Sequence, residues 1–180
     1  MISSIVNDTI SFLLSLVVLS YCLYTVDVVA IFGCMMAVVV PMIIKKVTKR
    51  TPYPGIFKRP DGAVDCNLFN TGGICDRESG FPSGHVTLIS YFCFYIYYKY
   101  NATIISYLYG VDIYEKDSVE IKQEYVDGKK KIVLFLCVLP IIMMGYARYM
   151  KNCHNIVQIL AGSITGFCIT KLIIKLDNLE

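Results

Sequence analysis

The sequence predicts an all-α integral membrane protein, a helical bundle of about five transmembrane helices in a single domain over residues 1–180. Three observations predict it. Hydrophobic residues make up 56 % of the 180 positions, more than soluble domains carry. The 17 % that are charged are clustered rather than spread. Between the clusters lie apolar runs long enough to cross a bilayer.

Taken in order, residues 9–44 are almost wholly apolar, with Asp27 as the only charge. That is too long for one span and fits two short ones, 9–24 and 28–44, with a turn near Tyr24–Asp27. Thr25 or Asp27 would cap the second helix. From "KKVTKR" at residues 45–50 the chain turns polar and rich in Gly and Pro as far as Gly84, a long loop of the kind that carries function. A third span is expected over 86–109, with Lys99 and Asn101 near its membrane boundary. Seven tyrosines between Tyr91 and Tyr109 suggest a lipid-facing interfacial belt rather than a substrate groove. Residues 111–131 carry six acids and five lysines and read as a solvated loop. Residues 132–146 form the fourth span, with Pro140 as a kink. Residues 156–174 form the fifth, with Lys171 near enough its end to snorkel.

Other classes are excluded by simple counts. A net charge of +3 argues against nucleic-acid binding. Eight cysteines without CxxC spacing argue against a zinc site. The N-terminus lacks the basic region and cleavage site of a secretory signal and is read as mature sequence.

Counting crossings places the N-terminus, the 45–84 loop and the 147–155 turn on one side of the membrane. The 111–131 loop and the C-terminus lie on the other. Both histidines of the chain, His85 and His154, therefore share a face. That face also carries Lys45, Lys46, Lys49 and Arg50 after the second span, Pro82-Ser83-Gly84 at the start of the third, and Arg148 six residues before His154. Fixed positive charge, free N–H groups at a helix N-terminus and two imidazoles are what a phosphate-ester site at a membrane surface needs.

These residues resemble a family. "FPSGH", residues 81–85, is similar to the central motif of the type 2 phosphatidic acid phosphatase superfamily, the lipid phosphate phosphatases. "ARYMKNCHNIVQILAG", residues 147–162, is similar to its last motif. The first motif, a Lys, six residues and then Arg-Pro, is matched by "KVTKRTPYP" with Lys46 in place but Tyr53-Pro54 where Arg-Pro is expected. The resemblance covers roughly residues 28–175. It implies that His154 is the nucleophile, forming a phosphohistidine, and that His85 protonates the leaving group. It implies that Lys46, Arg148, Ser83 and the Gly84 N–H hold the phosphoryl oxygens, and that no metal or other cofactor is required. The implied partners are the bilayer and a lipid phosphate or isoprenoid diphosphate substrate, with the site on the lumenal or extracytoplasmic face.

Two positions depart from the family pattern. Gln158 stands where an Asp usually orients the nucleophilic His. The dolichyl diphosphatase and glucose-6-phosphatase branches look similar there, which tilts the substrate toward a polyprenyl or dolichyl diphosphate. Tyr53 replaces a phosphate-binding Arg, and either Arg50 or Arg59 would have to substitute. Plainer readings stand beside these. Lys45, Lys49, Lys58 and Arg59 read more readily as a topogenic basic cluster than as site residues, Ser83 as a helix cap, alone or together with phosphate binding, and Gln158 as an interhelical hydrogen bond. Cys66 and Cys75, both in the long loop, would form a disulfide in an oxidising lumen, leaving Cys153 as an idle thiol. The rival to an enzyme is a non-catalytic relative with a decayed phosphate cradle.

Overall fold

In a computed structural model the chain is described over residues 2–49, 54–66, 73–75, 78–109 and 119–177. The elements are α1 (Ile2–Thr25), α2 (Val28–Thr48), a single turn α3 (Pro54–Phe57), α4 (Gly84–Tyr109), α5 (Val119–Met150) and α6 (Ile156–Leu176). No strand forms among the described residues. The described residues of the 54–80 region form two isolated antiparallel bridges, Lys58 with Ser79 and Val64 with Ile74.

The α1–α2 hairpin turns where the sequence places it. Asp27 caps α2, its carboxylate accepting from the Ala30 N–H at 3.1 Å, which satisfies a donor that the helix leaves open. Among the described residues four segments are long and apolar enough to cross a membrane: Asn7–Thr25, Val28–Thr48, Gly128–Met150 and Ile156–Leu176. The protein is therefore a multi-pass membrane protein. The expected third span is present as α4 but does not reach that apolarity, because its Ser, Thr, Tyr and Lys residues make it more polar than its neighbours.

The polarity of α4 follows from its place at the centre of the bundle, packed against α6, α5 and α2. Tyr91 and Tyr95 are fully buried there, so these two are core residues and not the lipid-facing belt that their density suggests. Buried, their hydroxyls need partners. Tyr95 donates to Asp27 at 2.8 Å and Tyr91 to the Ala30 carbonyl at 3.3 Å. Lys99 closes the same network with a 2.6 Å ion pair to Asp27. On the other flank, Gly162 of α6 lets the backbones meet. A Cβ there would stand 2.7 Å from the Ser83 carbonyl oxygen, so only Gly lets α6 approach the start of α4 this closely.

The polar stretch expected as a loop over 111–131 is helical from Val119 onward, where it opens α5. Glu, Lys and Gln are good helix formers, so solvation does not preclude a helix there. Pro140 lies inside α5 without ending it.

Candidate active site

The site is assembled where the ends of α2, α4, α5 and α6 meet the 54–80 segment. That segment is held by pairing across its length. Arg59 N–H donates to the Glu78 carbonyl at 3.2 Å and Gly80 N–H to the Phe57 carbonyl at 2.8 Å. Ser79 ties it to the end of α2 through the Thr48 hydroxyl at 2.7 Å. The Ser83 N–H donates to the Gln158 carbonyl at 3.0 Å. Gln158 also caps α6 in a capping box with Asn155.

A cavity of about 590 Å³ opens at this junction. It is lined by His85 and Gly84 of α4, His154 of the α5–α6 turn, Lys45 and Lys46 of α2 with Lys49 at its C-cap, and Arg59, Cys66, Glu78 and Ser79 of the long segment. The two histidines thus share one cavity. His154 is 1 % exposed. Its Nδ1 lies 3.2 Å from Gln158 Oε1. The Gln158 amide cannot turn round, because its Nε2 donates to the carbonyls of Ile56 at 2.9 Å and Lys58 at 2.8 Å. The atom facing the ring is therefore an acceptor. It selects the tautomer with a proton on Nδ1 and a free lone pair on Nε2. Gly80 makes room for this clamp, since a Cβ there would fall 2.4 Å from Gln158 Oε1.

Positive charge surrounds the ring. Burial, followed by Arg59, Lys45, Arg148 and His85, lowers the His154 pKa well below the usual histidine value, so the imidazole is neutral at pH 7. Arg59 is 7 % exposed, and its Nε and Nη1 are buried without a hydrogen-bond partner. Its only carboxylate neighbour among the described residues is Glu78, at 4.0 Å. A guanidinium left this bare is a costly feature unless an anion completes it.

Several sequence expectations shift. Arg59, read first as topogenic, lines the cavity, whereas Arg50 and Tyr53 lie outside the described residues. Lys45, also read as topogenic, lines the cavity together with Lys46 and lies against Gly84. Ser83 and Arg148 do not line it. Ser83 is fully buried with an unpartnered hydroxyl, and Arg148 sits behind the wall with Nη2 donating to the Cys66 carbonyl at 2.5 Å. The expected disulfide between Cys66 and Cys75 does not form. Cys66 is bonded to Cys153, with the Cα atoms 5.4 Å apart, and Cys75 is a free buried thiol in the same cluster. The turn before α6 packs Cys153 against Cys66, a contact between residues 87 positions apart that no local spacing reveals.

The PAP2 superfamily model matches residues 10–179, nearly the whole chain. The chain belongs to the PAP2 superfamily. Neither a curated protein nor a solved structure matches it. PAP2 proteins are phosphatases, so the family supports a general phosphoesterase role, and the two histidines, three lysines and Arg59 around one cavity suit a phosphate ester.

Proposed function

We propose that this PAP2 protein hydrolyses a lipid phosphate or a polyprenyl or dolichyl diphosphate, without a metal, through a phosphohistidine on His154. The observation that carries the reading is the clamp on His154. With Nδ1–H donated to Gln158 Oε1, the Nε2 lone pair is free to attack phosphorus. Gln158 fixes the tautomer as an Asp would, but without the charge that stabilises an imidazolium. The nearby cations take that burden instead, by drawing the phosphoryl dianion in.

In the proposed reaction Nε2 forms a bond to phosphorus as the bond to the leaving oxygen breaks. His85 delivers the proton to that oxygen. Water then attacks the phosphohistidine, and His85 accepts its proton, restoring both rings. Lys45, Arg59 and the unpaired N–H groups in the first turn of α4 cradle the phosphoryl oxygens, where charge develops. Lys46 and Lys49 stand at the mouth, placed to meet a second phosphate of a diphosphate. Arg148 acts from behind, as a fixed charge and as the anchor of the Cys66 carbonyl. The Cys66–Cys153 bond ties the long segment to the turn bearing His154, and disulfides persist in oxidising compartments. That supports a lumenal or extracytoplasmic site.

The test is phosphate release by purified protein in chelator, across a panel of lipid phosphates and diphosphates. The expected result is release that falls at least about 10³-fold in His154→Ala and His85→Ala. Binding of the panel lipids with no release from any of them would instead identify a non-catalytic relative.

A further inference from the structure

The turn that carries His154 is short. Met150 ends α5 and Asn155 caps α6, so Lys151, Asn152 and Cys153 set where the His154 ring stands. Each of the three is tied down. Cys153 is bonded to Cys66, and Asn152 Nδ2 donates to the Asp61 carbonyl at 2.8 Å. Both of these ties run to the long segment. The third runs to a different element: Lys151 Nζ donates to the Asp8 carboxylate of α1. Among the described residues α1 supplies none of the cavity lining, yet through Asp8 it grips the turn three residues before His154.

This pair differs from an ordinary surface ion pair. The Lys151 side chain is 9 % exposed and that of Asp8 28 %, so solvent screens them less than it does an exposed pair. The polar side of α1 is turned inward with Asp8. Asn7 and Ser11, one helical turn apart on that side, are both buried, and α1 packs against α5. The two charges also reach the site itself, Lys151 acting on His85 and Asp8 on Arg148. Family membership does not account for the tie, because the matched stretch begins at residue 10, after Asp8.

We propose that Asp8 is a positioning residue for the site, holding the His154 turn through Lys151 and cancelling the Lys151 charge at His85. The inference rests on the proposed phosphatase reading and adds a residue to it. Without the pair the turn keeps two ties, both to the long segment, and nothing from α1 fixes its swing about them. A displacement of about 1 Å at a reacting atom costs on the order of 10²-fold in rate. A bare Lys151 ammonium would also disfavour protonated His85, the form that delivers a proton to the leaving oxygen.

The test uses the full chain in detergent with isotope-labelled histidines, read by nuclear magnetic resonance. The chain has only two, so His85→Gln assigns both signals. Asp8→Asn should lower kcat for phosphate release at least about ten-fold while KM stays within about two-fold. Asp8→Glu, which keeps the charge, should recover most of that loss. The two partners should move the His85 titration in opposite directions: to lower pH in Asp8→Asn, which bares Lys151, and to higher pH in Lys151→Gln, which removes it. Arg148, Lys45 and Arg59, the other cations acting on His85, are unchanged in both. The double variant Asp8→Asn/Lys151→Gln should titrate close to the unsubstituted protein and keep the low kcat, since it restores the charge balance and not the tie. Should Asp8→Asn fail to fold, the upward shift in Lys151→Gln and its return in the double variant decide the same question. Shifts in one direction for both single variants, no shift in either, or an unchanged kcat would make the pair a plain structural tie and overturn the assignment. Opposite shifts in a protein that releases no phosphate from any panel lipid uphold the role of Asp8 and sink the enzyme reading instead.

Discussion

The two ends of the bundle bury cations in opposite ways. At the far end, Lys99 is neutralised. Asp27 pairs with it at 2.6 Å, Tyr95 donates to the same carboxylate, and that carboxylate caps α2. At the site end, Lys45, Arg59 and Arg148 gather around His154, and among the described residues the carboxylate within ion-pair reach of these three is Glu78, 4.0 Å from Arg59. Arg59 and Arg148 retain buried nitrogens without partners. The far end is a closed structural tie, whereas the site end leaves its buried guanidinium groups with nitrogens that no partner completes. What ties the site end around the cavity is a covalent bond, Cys66–Cys153, and neutral hydrogen bonds through Gln158, with an ion pair between Lys151 and Asp8 joining the turn to α1.

The largest test of that contrast removes the covalent tie. The disulfide closes a sequence separation of 87 residues, and loops of that length contribute about 4 kcal/mol by restricting the unfolded chain. Cys153→Ser, or reduction of the native protein, should lower the Tm in detergent by roughly 10 °C or more. It should also reduce phosphate release, because Arg148 leans on the Cys66 carbonyl and His154 follows Cys153. An unchanged Tm on reduction would show that the site end needs no strap.

Arg59→Gln and Asp27→Asn then separate the two kinds of charge. Arg59→Gln should weaken inhibition by inorganic phosphate and lower kcat/KM about 10- to 100-fold, the range of a charge-assisted hydrogen bond. It should leave the Tm unchanged or raised, since it removes an uncompensated buried charge. Asp27→Asn should do the reverse, lowering the Tm by roughly 5–10 °C while kcat/KM changes little, because it strands Lys99. If Arg59→Gln destabilises and leaves phosphate affinity intact, Arg59 is a structural residue and the contrast fails.

The smallest effect is in acid. His154 titrates well below the usual value of 6.5 when folded. Between that lowered pKa and 6.5 the unfolded chain binds a proton that the folded chain refuses, so stability falls as pH drops through this window. Asp27 acts in the same direction but at lower pH. Burial alone would raise its pKa, but Lys99, the Ala30 N–H and Tyr95 outweigh it and lower it below 3.8. Its contribution is present above 3.8 and is lost only as pH falls through the lowered value. Mild acid should therefore loosen the site end first, read as hydrogen exchange in residues 154–160 rising before that in residues 27–33.

Much of this molecule is visible in one dimension, because a bilayer imposes long apolar runs and helix caps are local. The hairpin at Asp27, the bounds of α4 and α6, and the convergence of His85 and His154 on one face all follow from counting. Local patterns also marked Gln158, though not that its amide is locked by the carbonyls of Ile56 and Lys58. Other assignments needed the tertiary structure. Lys45 and Lys46 differ by ~100° around α2, and only the packing shows that both reach the cavity. Arg59 reaches it beside the antiparallel bridge of Lys58 with Ser79, and Cys66 finds Cys153 and not Cys75, because the long segment folds back on the turn before α6. Tyr91 and Tyr95 look like a lipid belt in sequence, since composition records amphipathic character and not which helix is innermost. The sequence by itself determined the helices, their order and the chemistry gathered on one face. The tertiary structure alone decided which cations are left unpaired there, because compensation of charge depends on distances between segments far apart in the chain.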